Sequence, residues 1–225
     1  MTILRLPNAS KLLSTWQQDS KLVGTMSGSS VSNLPADEAV LIEQAQRGDL
    51  AAFDQLVLMH QQQVFAVALR MLGDRDEAQD VAQDVFVRAY RAVSTFRREA
   101  RLSTWLVSIT MNLCRNRRRW WARRRRVIVA SIDEGLDTEE GMLEQQVADP
   151  APTPAQVAER REQHQQIMDA LQQLDEAHRS VIILRDIEGC SYEEIAQMSQ
   201  CQIGTVKSRL SRARLQLRAL LDGKL

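Results

Sequence analysis

The sequence predicts an all-α fold in which two helical domains are joined by an acidic linker. Apolar residues recur at spacings of three and four in successive segments, which is the period of an amphipathic helix. Alternation typical of strands is absent over any useful length, and aromatic residues make up only 4% of the chain. With 225 residues, of which 44% are apolar, the chain is long enough for two small domains that each bury a core.

Composition divides the chain into four parts. Residues 1–35 are rich in Ser, Thr, Asn and Gly, which predicts a flexible N-terminal extension, although an amphipathic piece at residues 4–22 could order on a partner. Residues 36–126 are predicted to form the first helical domain and residues 159–225 the second. Residues 127–158 between them carry seven acids and no bases, which indicates an acidic, proline-containing linker.

Glycines and aspartates predict where the helices of the first domain begin and end. A first helical pattern stops at Gly48, and Asp49 can cap the long pattern that follows. Gly73 ends that second helix and Asp74 begins a third.

The helix that begins at Asp74 has two different faces. An apolar stripe is predicted to face the core and consists of Ala78, Val81, Val85, Ala89 and Val93. A second set of positions faces elsewhere and is mostly polar: Asp80, Gln83, Asp84, Val87 and Arg91. The core therefore leaves this second face available for another role.

The segment RNRRRWWARRRR, residues 115–126, contains eight arginines and two tryptophans. Residues 97–126 as a whole carry eleven arginines and one acid, so the zero net charge of the chain hides a strongly basic element. Phosphates are the partners that favour such a segment, through counterion release and bidentate contacts. The tryptophans are expected to pack on the domain, with stacking on exposed bases as the alternative. Asn112, which lies near the loop RREARL, suits recognition of an unpaired base.

The second domain ends in a predicted helix-turn-helix. Ser191 and Glu194 form a capping-box pattern that opens one short helix, and Thr205 is predicted to cap the next. That second helix is basic and contains no acid between Ile203 and Leu221. Val206, Leu210 and Leu217 form its predicted packing face, whereas Lys207, Ser208, Ser211 and Arg212 fall on one exposed side. This arrangement predicts a helix that enters the major groove of DNA.

Several function classes find no support in the sequence. The three cysteines and three histidines show no zinc spacing and no disulfide framework, which favours buried thiols in a reducing cytoplasm. Neither a glycine-rich phosphate loop nor a Ser-His-Asp set is present, and no second cluster completes a metal site with the carboxylates of DRDEAQD. We therefore expect no enzyme, no cofactor and no metal. No apolar run approaches the roughly 20 residues of a membrane span.

Taken together, these motifs resemble those of the extracytoplasmic-function (ECF) group of bacterial sigma factors in the sigma-70 family. DVAQDVFVRAYRAV, a basic loop, STWLVSITMN and an Arg-rich tail are similar to the domain that binds core RNA polymerase and melts promoters. LQQLDEAHRSVIILRDIEGCSYEEIAQMSQCQIGTVKSRLSRAR is similar to the C-terminal helix-turn-helix domain. The order of the motifs and the acidic linker also match.

The resemblance implies a role for each surface. Core RNA polymerase would be bound by Asp80, Gln83, Asp84, Val87 and Arg91. The minus-ten element of promoter DNA would be bound by Arg97, Arg98, Arg101, Ser103, Thr104, Trp105, Asn112, Arg115, Arg119 and Arg123. The minus-thirty-five element would be read by Thr205, Lys207, Ser208, Ser211 and Arg212. The linker would pass near the polymerase active site, and a separate anti-sigma factor would control the protein.

Two features depart from the family pattern. About 35 residues precede the first helix, more than is usual for the family. The tryptophan pair at residues 120–121 does not align with the melting aromatics of housekeeping sigma factors, which fall near Trp105. The alternative function is a helix-turn-helix regulator that acts without polymerase, and such a protein would not need the polar face that contains Asp80.

Overall fold

The computed structural model describes residues 36–128 and 154–222, with side chains described for residues 38–124 and 161–222. The predicted N-terminal extension and most of the predicted acidic linker lie outside the described residues. Every regular element within the described ranges is a helix, which confirms the all-α prediction.

The N-terminal half consists of four helices around one core. They are α1 (Ala36–Gln46), α2 (Leu50–Leu72), α3 (Arg75–Ala92) and α4 (Leu102–Ile128), with a 3-10 turn at Val93–Thr95 after α3. Helix α2 packs against the other three helices, and α3 also packs against α4. All five residues of the predicted apolar stripe are buried in this core, four of them on α3 and Val93 at the start of the 3-10 turn.

The predicted helix ends in this half are confirmed. The Asp49 carboxylate accepts hydrogen bonds from the backbone N–H groups of Ala51 and Ala52 at 2.9 and 3.2 Å. Gly73 ends α2 with a φ of 77°, a left-handed conformation that glycine adopts without steric cost. One residue later, Asp74 caps α3 by accepting from the N–H of Glu77 at 2.8 Å.

The C-terminal half contains α5 (Pro154–Gln173), α6 (Glu176–Ile182), α7 (Tyr192–Ser199) and α8 (Ile203–Asp222), with a π-helical turn at Ile183–Ile187 between α6 and α7. The predicted capping box at the start of α7 is confirmed: the Ser191 N–H donates to Glu194 Oε2 at 2.7 Å, and the Glu194 N–H donates to Ser191 Oγ at 3.1 Å. Helices α7 and α8 form the predicted helix-turn-helix.

Two helix starts differ from the prediction. Helix α5 begins at Pro154, inside the predicted linker, because proline is well suited to the first helical position, where its missing N–H is not needed. Thr205 does not cap α8, so that prediction was wrong. The Gln202 carbonyl already accepts from the N–H groups of Thr205 and Val206 at 2.9 and 3.1 Å, and Thr205 therefore lies inside the first turn.

Candidate nucleic-acid and protein interfaces

The face of α3 that points away from the core is exposed along its length. Asp80, Gln83, Asp84, Val87 and Arg91 are all exposed, as the helical spacing predicts. Val87 and Tyr90 are 48% and 42% exposed, so the face combines acids with large apolar groups. The Tyr90 ring is held edge-on against Phe53, with 5.2 Å between ring centroids. The sequence interpretation missed Tyr90, although it lies three residues after Val87 and so shares its face.

One acid of this face is already in contact with the basic segment. Arg117 on α4 lies with its Nε 2.9 Å from Glu77 Oε2 and its Nη2 3.5 Å from Asp80 Oδ2. This arginine therefore links α4 to α3, and its charge is directed towards protein carboxylates. Asp80 remains 66% exposed in its side chain and can still contact a partner.

The arginines of the basic segment divide into two sets. Arg115, Arg117 and Arg118 are half-buried, whereas Arg119, Arg123 and Arg124 are exposed. Arg118 donates from Nη1 to the Met71 carbonyl at 3.0 Å, at the C-terminal end of α2, where the helix dipole favours a cation. Among the arginines of this segment whose side chains the structure describes, the exposed set is directed towards solvent and available to phosphates. The side chain of Arg125 and that of Arg126 lie outside the described residues.

The two tryptophans of the segment pack against each other. The ring centroids of Trp120 and Trp121 are 5.0 Å apart with a 79° interplanar angle, and the Arg124 guanidinium lies 5.0 Å from the Trp120 centroid. Trp121 is half-buried and Trp120 is 40% exposed, so the expected packing of this pair on the domain stays a prediction. Trp105 is also half-buried and packs on Phe96 with 5.0 Å between ring centroids.

The loop before α4 is anchored at its start. Gln46 Nε2 donates to the carbonyls of Phe96 and Val93 at 2.7 and 3.2 Å, a contact that the sequence interpretation did not find. Arg98 has a φ of 56°, an uncommon conformation for a residue other than glycine. Strained backbone of this kind is concentrated at functional sites.

The remaining predicted minus-ten residues lie in this loop and along α4. Arg97 is exposed, and Arg101, Ser103 and Thr104 are half-buried. Asn112 is exposed two to three turns further along α4, and its Oδ1 accepts from Arg115 Nη2 at 2.8 Å. The amide nitrogen of Asn112 therefore has its orientation fixed by an arginine on the same helix.

Helix α8 buries one face and exposes the other. Its packing face contains the predicted Val206, Leu210 and Leu217, together with Ala213 and Leu221. Its exposed face contains Lys207, Ser208, Ser211 and Arg212. Thr205 is half-buried at the start of this helix.

The first turn of α8 is braced by its neighbours. The Tyr192 ring contacts two cations, with its centroid 4.6 Å from the Arg185 guanidinium and 5.5 Å from Lys207 Nζ. Further along the helix, Arg214 Nε donates to Asp186 Oδ2 at 3.0 Å, and this hydrogen bond raises the pKa of Arg214. Arg214 therefore serves to fix α8 on the π-helical turn, while Arg212 points outward.

The cysteines behave as small buried groups. Burial raises the pKa of Cys114 and that of Cys190 to about 12, so both remain thiols at neutral pH. No group of three potential metal ligands occurs among the described residues. In the described ranges, no helix is both long enough and apolar enough to cross a membrane.

Comparisons with known proteins agree with this geometry. The family model "Sigma-70 region 2" matches residues 56–126, and "Sigma-70, region 4" matches residues 164–217. The RNA polymerase sigma-H factor of Pseudomonas aeruginosa is 39% identical over 176 residues, which are 77% of this chain and 88% of that protein. The ECF RNA polymerase sigma-E factor of Escherichia coli K12 is 35% identical over 179 residues, which are 79% of this chain and 90% of that protein.

Two solved structures are similar over both halves. The sigma factor RpoE in complex with the anti-sigma factor NepR from Bartonella quintana has a TM-score of 0.58 and 28% identity, covering 76% of this chain and 96% of that one. CnrH in complex with the cytosolic domain of CnrY has a TM-score of 0.56 and 28% identity, covering 84% and 99%. The chain therefore belongs to the ECF group of the sigma-70 family of RNA polymerase sigma factors.

Proposed function

We propose that this chain binds core RNA polymerase through the exposed face of α3 and directs it to promoters that it recognises with two separate surfaces. The observation that carries this proposal is the composition of the α3 face. Exposed acids lie beside Val87 and Tyr90, and a mixed surface with an aromatic group held in place is typical of a protein interface. A DNA-binding regulator that acts alone would not need this surface.

The minus-ten element is assigned to the loop at residues 97–104 and to Asn112. An asparagine side chain offers both a donor and an acceptor to a base edge, and Arg115 fixes its orientation. The exposed Arg119 and Arg123 are assigned to the phosphates beside that base. These residues lie on one helix and the loop before it, so they are close to one another along the chain.

The minus-thirty-five element is assigned to the exposed face of α8. Lys207 and Arg212 lie one to two turns apart, with the small hydroxyl side chains of Ser208 and Ser211 between them. Small side chains allow the helix to approach the floor of the major groove, and arginine can donate two hydrogen bonds to a guanine edge.

We further infer that an anti-sigma factor controls this chain. One similar structure described above is a complex of a sigma factor with an anti-sigma factor, and the other is a complex of CnrH with the cytosolic domain of CnrY. Members of this family act by recognition, and we assign no catalytic chemistry to the chain. Because its partner would be core polymerase, we place its action in the bacterial cytoplasm.

The assignment of the α3 face is tested by the double variant Asp80→Arg, Gln83→Ala. In a pull-down with core polymerase, we expect at least a tenfold loss of affinity, because the variant reverses one exposed charge and removes a neighbouring amide. The matched control is Asp54→Arg, Gln55→Ala, which changes an exposed acid and glutamine on α2 in the same way. Equal affinity of the two variants for core polymerase would contradict the assignment.

A further inference from the structure

The tryptophan at position 120 has no role in the surfaces assigned so far. Trp120 is 40% exposed, although tryptophan side chains are on average highly buried in folded proteins. The aromatic residues that housekeeping sigma factors use in promoter melting fall near Trp105. At 1.5 Å per residue, Trp105 lies about 22 Å from Trp120 along the axis of α4. The exposed ring of Trp120 is therefore a separate feature of this chain.

Trp120 shares one face of α4 with residues assigned to the minus-ten element. At 3.6 residues per turn, five positions fall within about 100° of one another around the helix axis. All five are exposed, and they are Asn112, Asn116, Arg119, Trp120 and Arg123. No acid occurs anywhere in Leu102–Ile128. The face therefore combines amides and cations with one flat aromatic ring.

The neighbouring tryptophan holds the Trp120 ring in place. The two rings meet nearly edge-to-face, with an interplanar angle of 79° and 5.0 Å between ring centroids. Trp121 is half-buried and points about 100° further around the helix. A ring with a fixed orientation loses little conformational freedom when a partner binds. The contact therefore prepares Trp120 to stack on a planar group.

The cation above the ring can be replaced. The Arg124 guanidinium lies 5.0 Å from the Trp120 ring centroid, and Arg124 is exposed. An exposed cation–π contact is weaker than the stacking of a nucleic-acid base on an aromatic side chain. A base can therefore displace Arg124 from the ring, and the released guanidinium becomes available to the adjacent phosphate.

A single strand of DNA fits this face better than a protein does. Every base has a π-face that can stack on tryptophan, and the backbone carries a negative charge at each nucleotide. Arg119 and Arg123 lie on either side of Trp120 along the helix, where they can contact the phosphates that flank a stacked base. A protein partner would need an acid opposite each arginine and a flat group opposite the ring.

We propose that Trp120 is a stacking platform for an unpaired base of the same DNA strand whose minus-ten base Asn112 binds. This inference rests on the proposed function and adds a contact that tolerates any base. Asn112 and Trp120 are about 12 Å apart along α4 at 1.5 Å per residue. At about 3.4 Å per nucleotide, the stacked base lies about three or four nucleotides from the base at Asn112.

Abasic nucleotides in the promoter test this stacking directly. Polymerase holoenzyme is assembled with the wild-type chain, Trp120→Leu or Trp120→Phe. Its affinity is measured for a promoter whose minus-ten segment is unpaired, and for versions in which one nucleotide of that segment in turn lacks its base. Trp121→Leu is the matched control, because it changes the same residue type on another side of the helix.

We expect Trp120→Leu to weaken binding of the intact promoter about tenfold, and Trp120→Phe to weaken it less than threefold because phenylalanine keeps a flat ring. At one position, loss of the base should cost the wild-type chain about the same factor and should cost Trp120→Leu less than twofold. At the other positions the two effects should multiply. The slope of log affinity against log salt should stay unchanged, because the substitution removes no charge.

Three results would overturn the proposal. They are effects of Trp120→Leu and of base loss that multiply at every position, equal losses of affinity for Trp120→Phe and Trp120→Leu, and the same position-specific pattern for Trp121→Leu. The proposed function has its own readout in this experiment. If holoenzyme with the wild-type chain forms no promoter-specific complex, the proposed function has failed and this inference fails with it.

Discussion

Replacement of Arg179 by methionine should destabilise the C-terminal half more than any change of a surface arginine. Arg179 is 1% exposed, and its guanidinium donates to the Leu171, Gln172 and Leu174 carbonyls at 2.8, 2.6 and 2.9 Å. It also donates to the Gln172 side chain and to the Met71 carbonyl. The Leu171 carbonyl also accepts from the Leu174 N–H at 3.2 Å, and the Met71 carbonyl also accepts from Arg118. The Gln172 and Leu174 carbonyls lie at the end of α5, beyond the last helical N–H groups, and depend on Arg179.

The magnitude follows from these contacts. Each buried carbonyl left without a donor costs about 1–3 kcal/mol, and the variant leaves two of them, those of Gln172 and Leu174, in the C-terminal half. Removal of a buried charge returns part of its desolvation cost, so we expect a net loss of about 2–4 kcal/mol. Burial and the nearby Arg118 lower the pKa of Arg179 to about 10, so the group is charged at pH 7.5 and the full network is present there.

Differential scanning calorimetry of the full chain measures this loss. For a domain of 60–100 residues, 1 kcal/mol corresponds to about 4–8 °C, so Arg179→Met should lower the C-terminal transition by at least about 8 °C. Arg218→Met is the control, because Arg218 is exposed and its contact with Asp222 is a surface pair worth at most about 0.5 kcal/mol. Equal transition temperatures for the two variants would refute the reasoning.

Three further predictions concern DNA contacts and thiols. Arg212→Ala should cost about 1–3 kcal/mol of promoter affinity and relax base choice in the upstream element, and a promoter library that shows unchanged base preferences would contradict this. Arg123→Ala with Arg124→Ala should weaken binding of polymerase holoenzyme to all promoters about equally, and should flatten the slope of log affinity against log salt by about 1.4–1.8. A salt titration with an unaltered slope would show that these exposed arginines do not contact phosphates. At pH 8, only about one part in ten thousand of Cys114 and Cys190 should be thiolate, because burial raises the pKa of both to about 12. The half-exposed Cys201 should therefore react first with a thiol reagent, and the buried pair should react only on unfolding. The reaction rate of the buried pair should rise as the pH approaches about 12.

The features that the sequence predicts well are local. Asp49 and Gly73 act on their own backbone neighbourhoods, so residue type and position are sufficient to place these helix ends. The faces of α3 and α8 follow from helical periodicity in the same way. Thr205 was misplaced because several polar residues near the turn could cap α8, and backbone hydrogen bonds to Gln202 decide the start.

The features that the sequence does not predict depend on the tertiary fold. Arg115 and Arg118 donate to the carbonyls of Met198 and Met71, and a backbone carbonyl leaves no trace in the residue type that carries it. The basic segment therefore looks uniform in sequence, although half-buried members contact protein and exposed members face solvent. Arg179 is the exception that could have been found, because an arginine beside the apolar run VIIL indicates a buried charge that needs partners.

Run-off transcription with purified core polymerase tests the central claim most directly. Core polymerase is mixed with a promoter library and this chain, and transcripts are sequenced in parallel reactions with the chain and with the Asp80→Arg, Gln83→Ala variant. The account predicts transcripts that start at a defined set of promoters sharing two elements, only when the chain is present, with at least tenfold fewer from the variant. Sequence-specific binding of the chain to DNA without any new transcript would contradict it and would favour a regulator that acts without polymerase.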